Sequence, residues 1–268
     1  MDRIRESVRA RYAETAIRLS QGGECCDASC CGGSDALSGP IGAEAYSQAE
    51  LSDLGLSLGA SLGCGNPTML AQLHAGEVVL DLGSGAGLDV LLSAGRVSPG
   101  GHAYGIDMTD EMLALANENK ARAGVQNATF LKGTIEAIPL PLASVDVVIS
   151  NCVINLAADK AAVLREAFRV LKPGGRLAVS DMVEIEPLAI EVKSALDAWA
   201  GCVAGTIPVE AYRAALVEAG FTDVEVEVTH TFGPGEAGLP AGSGKIASAY
   251  VRAAKPVKEV AANVPLRT

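Results

Sequence analysis

The stretch Val78-Val-Leu-Asp-Leu-Gly-Ser-Gly-Ala-Gly-Leu88 decides the fold. Its apolar opening reads as a short buried strand. The glycines at 83, 85 and 87 then form a turn that opens a helical pattern over Leu88 to Val97. A strand ending in a glycine-rich turn at a helix N-terminus is the first unit of a nucleotide-binding α/β domain, because glycine lets a ligand approach the backbone closely.

Outward from this unit the pattern repeats. Apolar runs at Ala103 to Ile106, Thr129 to Leu131, Val145 to Ser150 and Arg176 to Ser180 read as strands. Between them, Asp110 to Ala123 and Lys160 to Leu171 read as helices, with Asp110 placed where an acid favours a helix N-terminus. Alternating strands and helices predict a Rossmann-like α/β domain with a mostly parallel sheet. After Asp181 the rhythm changes to helices over Ala189 to Val203 and Val209 to Ala219. Two strands follow, Phe221 to Thr231 and Ile246 to Arg252, spaced to form an antiparallel hairpin at the sheet edge and bring the total to seven.

This organisation divides the chain into three parts. Residues 1–45 are an amphipathic helix carrying Ile4, Val8, Tyr12, Ala16 and Leu19, followed by a mobile Gly- and Cys-rich arm. Residues 46–254 form the main domain, with a substrate-binding insertion near 185–220, and 255–268 form a tail expected to be poorly ordered.

Composition narrows the function. A chain of 268 residues, 49% hydrophobic, buries one ordinary core, and its formal net charge of −11 excludes a nucleic-acid partner. No apolar run is long enough for a membrane span, and the start Met1-Asp-Arg-Ile-Arg-Glu6 does not read as a signal peptide. A cytoplasmic monomer acting on a small molecule, with no membrane partner, is the expectation. The seven cysteines, at 25, 26, 30, 31, 64, 152 and 202, make a poor disulfide framework and read better as reactive or ligating thiols. Their softness suits a thiophilic centre, whereas His74, His102 and His230 are scattered singly and suggest no hard-metal site. The adjacent pairs Cys25-Cys26 and Cys30-Cys31 also depart from zinc-ligand spacing.

Asp81 at the strand end, the Gly-x-Gly-x-Gly spacing and Leu171-Lys-Pro-Gly-Gly-Arg-Leu177 together resemble class I methyltransferases over about residues 76–182. That resemblance implies S-adenosylmethionine as cofactor, with Asp81 among its binding residues and Gly83, Ser84 and Gly85 near its methionyl part. It places Asp107 on the ribose, Met108, Ile135 and Glu136 around adenine, and the Asn151 backbone at the amino end. Open parallel sheets bind ligands beyond their carboxyl ends, where Cys152 follows the fourth strand.

Further motifs span almost the whole chain: Val8-Arg-Ala-Arg-Tyr-Ala13, Cys30-Cys31-Gly-Gly33, Tyr46-Ser47, Ser61-Leu-Gly-Cys-Gly-Asn-Pro67, Gly105-Ile-Asp-Met-Thr109, Ser150-Asn-Cys-Val-Ile-Asn155 and Lys245-Ile-Ala-Ser-Ala-Tyr250. With the glycine turn they resemble the arsenite S-adenosylmethionine methyltransferases. The resemblance implies arsenite or methylarsenite as substrate, Cys64, Cys152 and Cys202 as the trivalent-arsenic ligands, and Cys31 or Cys30 in redox turnover. It also implies an external thiol reductant, thioredoxin or glutathione, and a role in arsenic detoxification. Two other readings remain: a class I methyltransferase of a small organic molecule, and a non-catalytic metalloid-binding sensor.

Overall fold

A computed structural model describes residues 2–21, 46, 63, 65–195, 198–199, 201–237, 239–240 and 242–257. Helix α1 (Asp2–Ser20) precedes a short α2 (Pro67–Leu70). The alternating unit follows: β1 (Val78–Leu82), α3 (Leu88–Arg96), β2 (His102–Asp107), α4 (Asp110–Ala123), β3 (Ala128–Lys132), β4 (Val145–Asn151), α5 (Lys160–Val170) and β5 (Leu171–Glu184). Then come α6 (Ile190–Ser194), α7 (Val209–Glu218), β6 (Thr222–Phe232) and β7 (Ile246–Ala254).

The seven strands form one sheet in the order β3-β2-β1-β4-β5-β7-β6. The first five are parallel, and β7 is antiparallel to both β5 and β6. The expected edge hairpin is therefore present, with its second strand inserted next to β5. Central strands covered on both faces must be apolar throughout. Leu80, Leu82, Val148, Ile149, Leu177 and Val179 meet that requirement and are fully buried.

Local chemistry sets the helix ends. The side chain of Asp159 caps α5 by accepting from Ala162 N at 2.9 Å. Helix α4 stops at Gly124, whose φ of 67° is left-handed.

Three differences from the sequence reading go beyond a residue or two. Strand β5 starts at Leu171, which pairs with Val145 across a bulge, and continues to Glu184 because β7 pairs with it along that whole length. The helix expected over Ala189 to Val203 breaks after Ser194, where Ala195 turns extended (ψ 119°). The chain then turns back toward β4, with Asn155 Nδ2 donating to the Cys202 carbonyl at 3.2 Å. Lys255 is not the start of a loose tail. Its ammonium is 4.5 Å from the centre of the Phe168 ring and donates to the carbonyls of Phe168 (2.6 Å) and Leu171 (2.7 Å). Among the described residues no helix is long and apolar enough to cross a membrane.

Candidate active site

A pocket opens beyond the carboxyl ends of β1, β2 and β4, where a doubly wound sheet presents its ligand site. All nine residues expected around the cofactor line it: Asp81, Gly83, Ser84, Gly85, Asp107, Met108, Ile135, Glu136 and Asn151. Gly85 adopts a left-handed φ of 49°, which turns its N–H onto Asp107 Oδ2 at 3.0 Å. Asp107 Oδ1 accepts from Thr109 N at 2.9 Å. The Oγ of Ser84 is buried with no hydrogen-bond partner among the described residues, so the pocket holds a donor and acceptor for a ligand to satisfy.

The electrostatics favour a cation. Burial, then Asp89 and Asp107, push the Asp81 carboxyl well above the usual range. Asp89 is raised to about 6 by burial, partly offset by hydrogen bonds from Tyr46 and Asn151. Asp107 is raised by burial and restrained by the backbone N–H groups that bind it. Against these acids and Glu136, Arg5 is the only basic side chain among the described lining residues, and it is paired with Glu136 at 3.3 Å. Unsatisfied Ser84, the carboxylate of Asp107 and the excess of acids fit a ligand that combines hydroxyls with positive charge, as S-adenosylmethionine does.

Asn151 contributes differently from expectation: its side chain, not only its backbone, is committed. The amide Nδ2 donates to Gly65 O at 2.8 Å and to Asp89 Oδ2 at 3.2 Å, while Oδ1 accepts from Gly65 N at 3.3 Å. Tyr46 completes the cluster by donating to Asp89 Oδ1 at 2.8 Å. A Cβ at Gly63 would run into the Asn151 amide, and one at Gly65 into Ser180 Oγ, so a side chain at either position would force these groups to move. These two glycines flank Cys64 in the sequence, and Cys64 itself, like Cys30 and Cys31, lies outside the described residues.

Cys152 lies between two pocket-lining residues, Asn151 and Val153, and is 4% exposed. In this structure Cys152 is disulfide-bonded. Cys202 is not in a disulfide, and its thiol donates to the Cys152 carbonyl at 3.3 Å. Both cysteines have left-handed backbones, with φ of 58° and 63°, a conformation that costs a non-glycine residue about 1–2 kcal/mol. Apolar side chains enclose the pair: Met182, Leu188, Val192, Val203 and Phe232 on one side, and Leu156, Val8 and Met108 toward the pocket.

Behind Cys202 is a buried polar network. Asn155 N and Tyr212 Oη donate to Asp181 Oδ2 at 3.1 and 3.2 Å, and Lys160 Nζ donates to Asn155 O at 3.1 Å. Burial raises Asp181 to about 7 and lowers Lys160 to about 8, with each charge partly restoring the other. The Trp199 ring lies 5.2 Å from the Lys160 ammonium, and its Nε1 donates to the Lys193 carbonyl at 2.9 Å.

The sequence model of the methyltransferase-domain family matches residues 73–231. The arsenite methyltransferase of Halobacterium salinarum is 42% identical over 273 residues, covering 96% of this chain and 68% of that protein. The chain belongs to the arsenite methyltransferase family. The human arsenite methyltransferase is 40% identical over 138 residues, which are 48% of this chain and 37% of its own length. Among solved structures, an arsenic(III) S-adenosylmethionine methyltransferase from Chlamydomonas reinhardtii superposes with a TM-score of 0.68 at 34% identity, covering 78% of this chain and 74% of that one. The sheet order and antiparallel edge are thus those of a Rossmann-like methyltransferase.

This arsenite methyltransferase relative carries site residues that sequence reasoning missed. Arg5, Val8 and Tyr12 of α1 line the cofactor pocket, a place that neither the apolar spacing nor the motif of that helix assigned to them. Asp89 had a signal: an acid inside the otherwise apolar run Leu88-Asp-Val-Leu-Leu92 is unexpected on a buried helix. Asn155, Lys160 and Asp181 gave no local signal, because they come together only through the sheet.

Proposed function

We propose that this protein transfers a methyl group from S-adenosylmethionine to trivalent arsenic, arsenite or methylarsenite, held by Cys64, Cys152 and Cys202. The observation that carries the reading is the thiol of Cys202 at 3.3 Å from the Cys152 carbonyl, next to a pocket suited to that cofactor. When bound there, S-adenosylmethionine supplies a methyl carbon activated by its sulfonium.

The residues of the chain supply position and electrons. Asp107 and Ser84 would hold the cofactor's hydroxyl and polar groups, and its positive charge would favour the ionised forms of Asp81 and Asp89. Thiolate ligation leaves a lone pair on arsenic(III), so the attacking atom has no proton to lose and no general base is required. Placing that lone pair in line with the methyl carbon is the main catalytic task. Formation of the carbon–arsenic bond releases S-adenosylhomocysteine and raises arsenic formally from three to five. Two thiolates return the two electrons by forming a disulfide, with Cys31 or Cys30 as the partner from the arm. Thioredoxin or glutathione then reduces that disulfide and is itself oxidised. The disulfide at Cys152 is consistent with a thiol that cycles between the two states.

The test is incubation with arsenite, methyl-labelled S-adenosylmethionine and a thiol, followed by separation of arsenic species. Labelled methylarsenicals are expected. Cys152→Ser and Cys202→Ser should each abolish them while retaining cofactor binding. Stoichiometric arsenite binding without methylated product would make the protein a sensor, and turnover indifferent to both substitutions would remove the three-thiol site.

A further inference from the structure

Two of the three thiol-bearing segments are tied to each other directly. The Cys202 thiol donates to the Cys152 carbonyl at 3.3 Å, and Asn155 Nδ2, from the turn that Cys152 begins, donates to the Cys202 carbonyl at 3.2 Å. The segment around Cys64 must be brought to them from elsewhere in the chain. Gly63 and Gly65, on either side of that cysteine, belong to no strand or helix. As glycines they also have no side chain with which to anchor the main chain.

The group that reaches both glycines is the side chain of Asn151, the last residue of β4 and the neighbour of Cys152. Its own main chain is held by pairing with Ser180 of β5. The amide binds both polar groups of Gly65: Oδ1 accepts from the N–H at 3.3 Å, and Nδ2 donates to the carbonyl at 2.8 Å. Nδ2 also donates to Asp89 Oδ2 at 3.2 Å, and that carboxylate is held in turn by the Tyr46 hydroxyl at 2.8 Å. Turning the amide over would set Oδ1 against the Gly65 carbonyl and the Asp89 carboxylate, and NH2 against the Gly65 N–H, so one orientation is fixed. On the other side of Cys64, the Gly63 backbone abuts the same amide so closely that an added Cβ would overlap it.

We propose that Asn151 is a positioning residue for arsenic binding: its side chain fastens the main chain on both sides of Cys64 to the strand end that carries Cys152. The proposal rests on Cys64 and Cys152 being arsenic ligands. Each thiol that joins arsenite replaces one hydroxyl and releases one water, so three thiols give an all-sulfur site and two leave one hydroxyl on arsenic. With the clasp in place, the segment of the third thiol is ordered before arsenic arrives. Without it, the cost of ordering falls on binding, and the hydroxyl keeps the third position.

The test counts sulfur atoms on arsenic by arsenic K-edge X-ray absorption and measures arsenite affinity. It uses the full chain, reduced with a phosphine and free of cofactor, as wild type, Asn151→Ala, Cys64→Ser and the double variant. Wild type should show three sulfurs. Asn151→Ala should show two sulfurs and one oxygen, and bind arsenite about tenfold more weakly. In the Cys64→Ser background the same change should cost nothing further, because the thiol it serves is gone. Gly63→Ala, which forces the amide aside and leaves every polar side chain in place, should also lose one sulfur, and it carries the test if Asn151→Ala does not fold. A role in stability alone would lower Tm and leave three sulfurs on arsenic. Three sulfurs in either variant, or an equal loss of affinity with and without Cys64, would overturn the inference. If Cys64→Ser itself keeps the wild-type sulfur count, the ligand assignment fails first, and the inference falls with it.

Discussion

Replacing Asp107 by Asn should damage cofactor binding more than the near-identical shapes of the two side chains suggest. Each Asp107 oxygen already accepts one backbone N–H, from Gly85 at 3.0 Å and from Thr109 at 2.9 Å. A carboxylate has about four lone-pair directions, so roughly two remain for the ligand's hydroxyls. An asparagine must turn its NH2 toward either Gly85 or Thr109, and in both orientations a donor faces a donor. The variant therefore loses one charge-assisted backbone bond already present without ligand, which costs stability, and one acceptor for the ligand, worth about 1.5–3 kcal/mol to binding. The second loss is roughly 10- to 150-fold in the dissociation constant. Titration calorimetry with S-adenosylmethionine measures it directly, and thermal unfolding of the apo form separates a broken turn from a lost contact. A dissociation constant within threefold of wild type would refute the ribose assignment, and an unchanged melt would refute the donor clash.

Two other expectations follow from single residues. Gly205→Ala would place a methyl group on the Asn155 carbonyl, so overpacking should destabilise the fold by about 2 kcal/mol and lower Tm by roughly 4–8 °C; an unchanged melt would show that the 201–205 turn yields freely. Asp89, near 6 in the fold against an ordinary 3.8, binds its proton more tightly when folded. Its stabilising contribution is therefore complete below the ordinary value and is lost as pH rises through about 6, a difference of about 3 kcal/mol. Urea unfolding between pH 4 and 7 should show Asp89→Asn lacking this fall, and parallel curves for wild type and variant would contradict it.

The part of the fold that sequence could reveal is the part governed by local rules. The turn at Gly83 to Gly87 and the apolar strands announce themselves because buried parallel strands and ligand-approaching loops tolerate few residue types. Helix α4 matches its expected bounds, Asp110 to Ala123, since acids begin it and Gly124 ends it. Where non-local contacts decide, the reading fails. The run Ala189 to Val203 has helical composition, yet the chain must return to β4, and the Asn155 bond to the Cys202 carbonyl rewards a break that no local propensity encodes. Similarly, Asp107 could be picked out by its position after the second strand, whereas the Tyr46-Asp89-Asn151 cluster joins residues up to 105 positions apart. The packing of Tyr12 beside Cys202 required knowing that α1 lies against α4 and the pocket.

The left-handed backbones at Cys152 and Cys202 mean that glycine would suit both positions better than cysteine does. A change that relaxes the main chain at either site also deletes the sulfur, so stability and chemistry pull in opposite directions at these two residues. Screening this protein for thermostability alone would tend to enrich variants without these thiols, and any stabilisation campaign must hold both cysteines fixed.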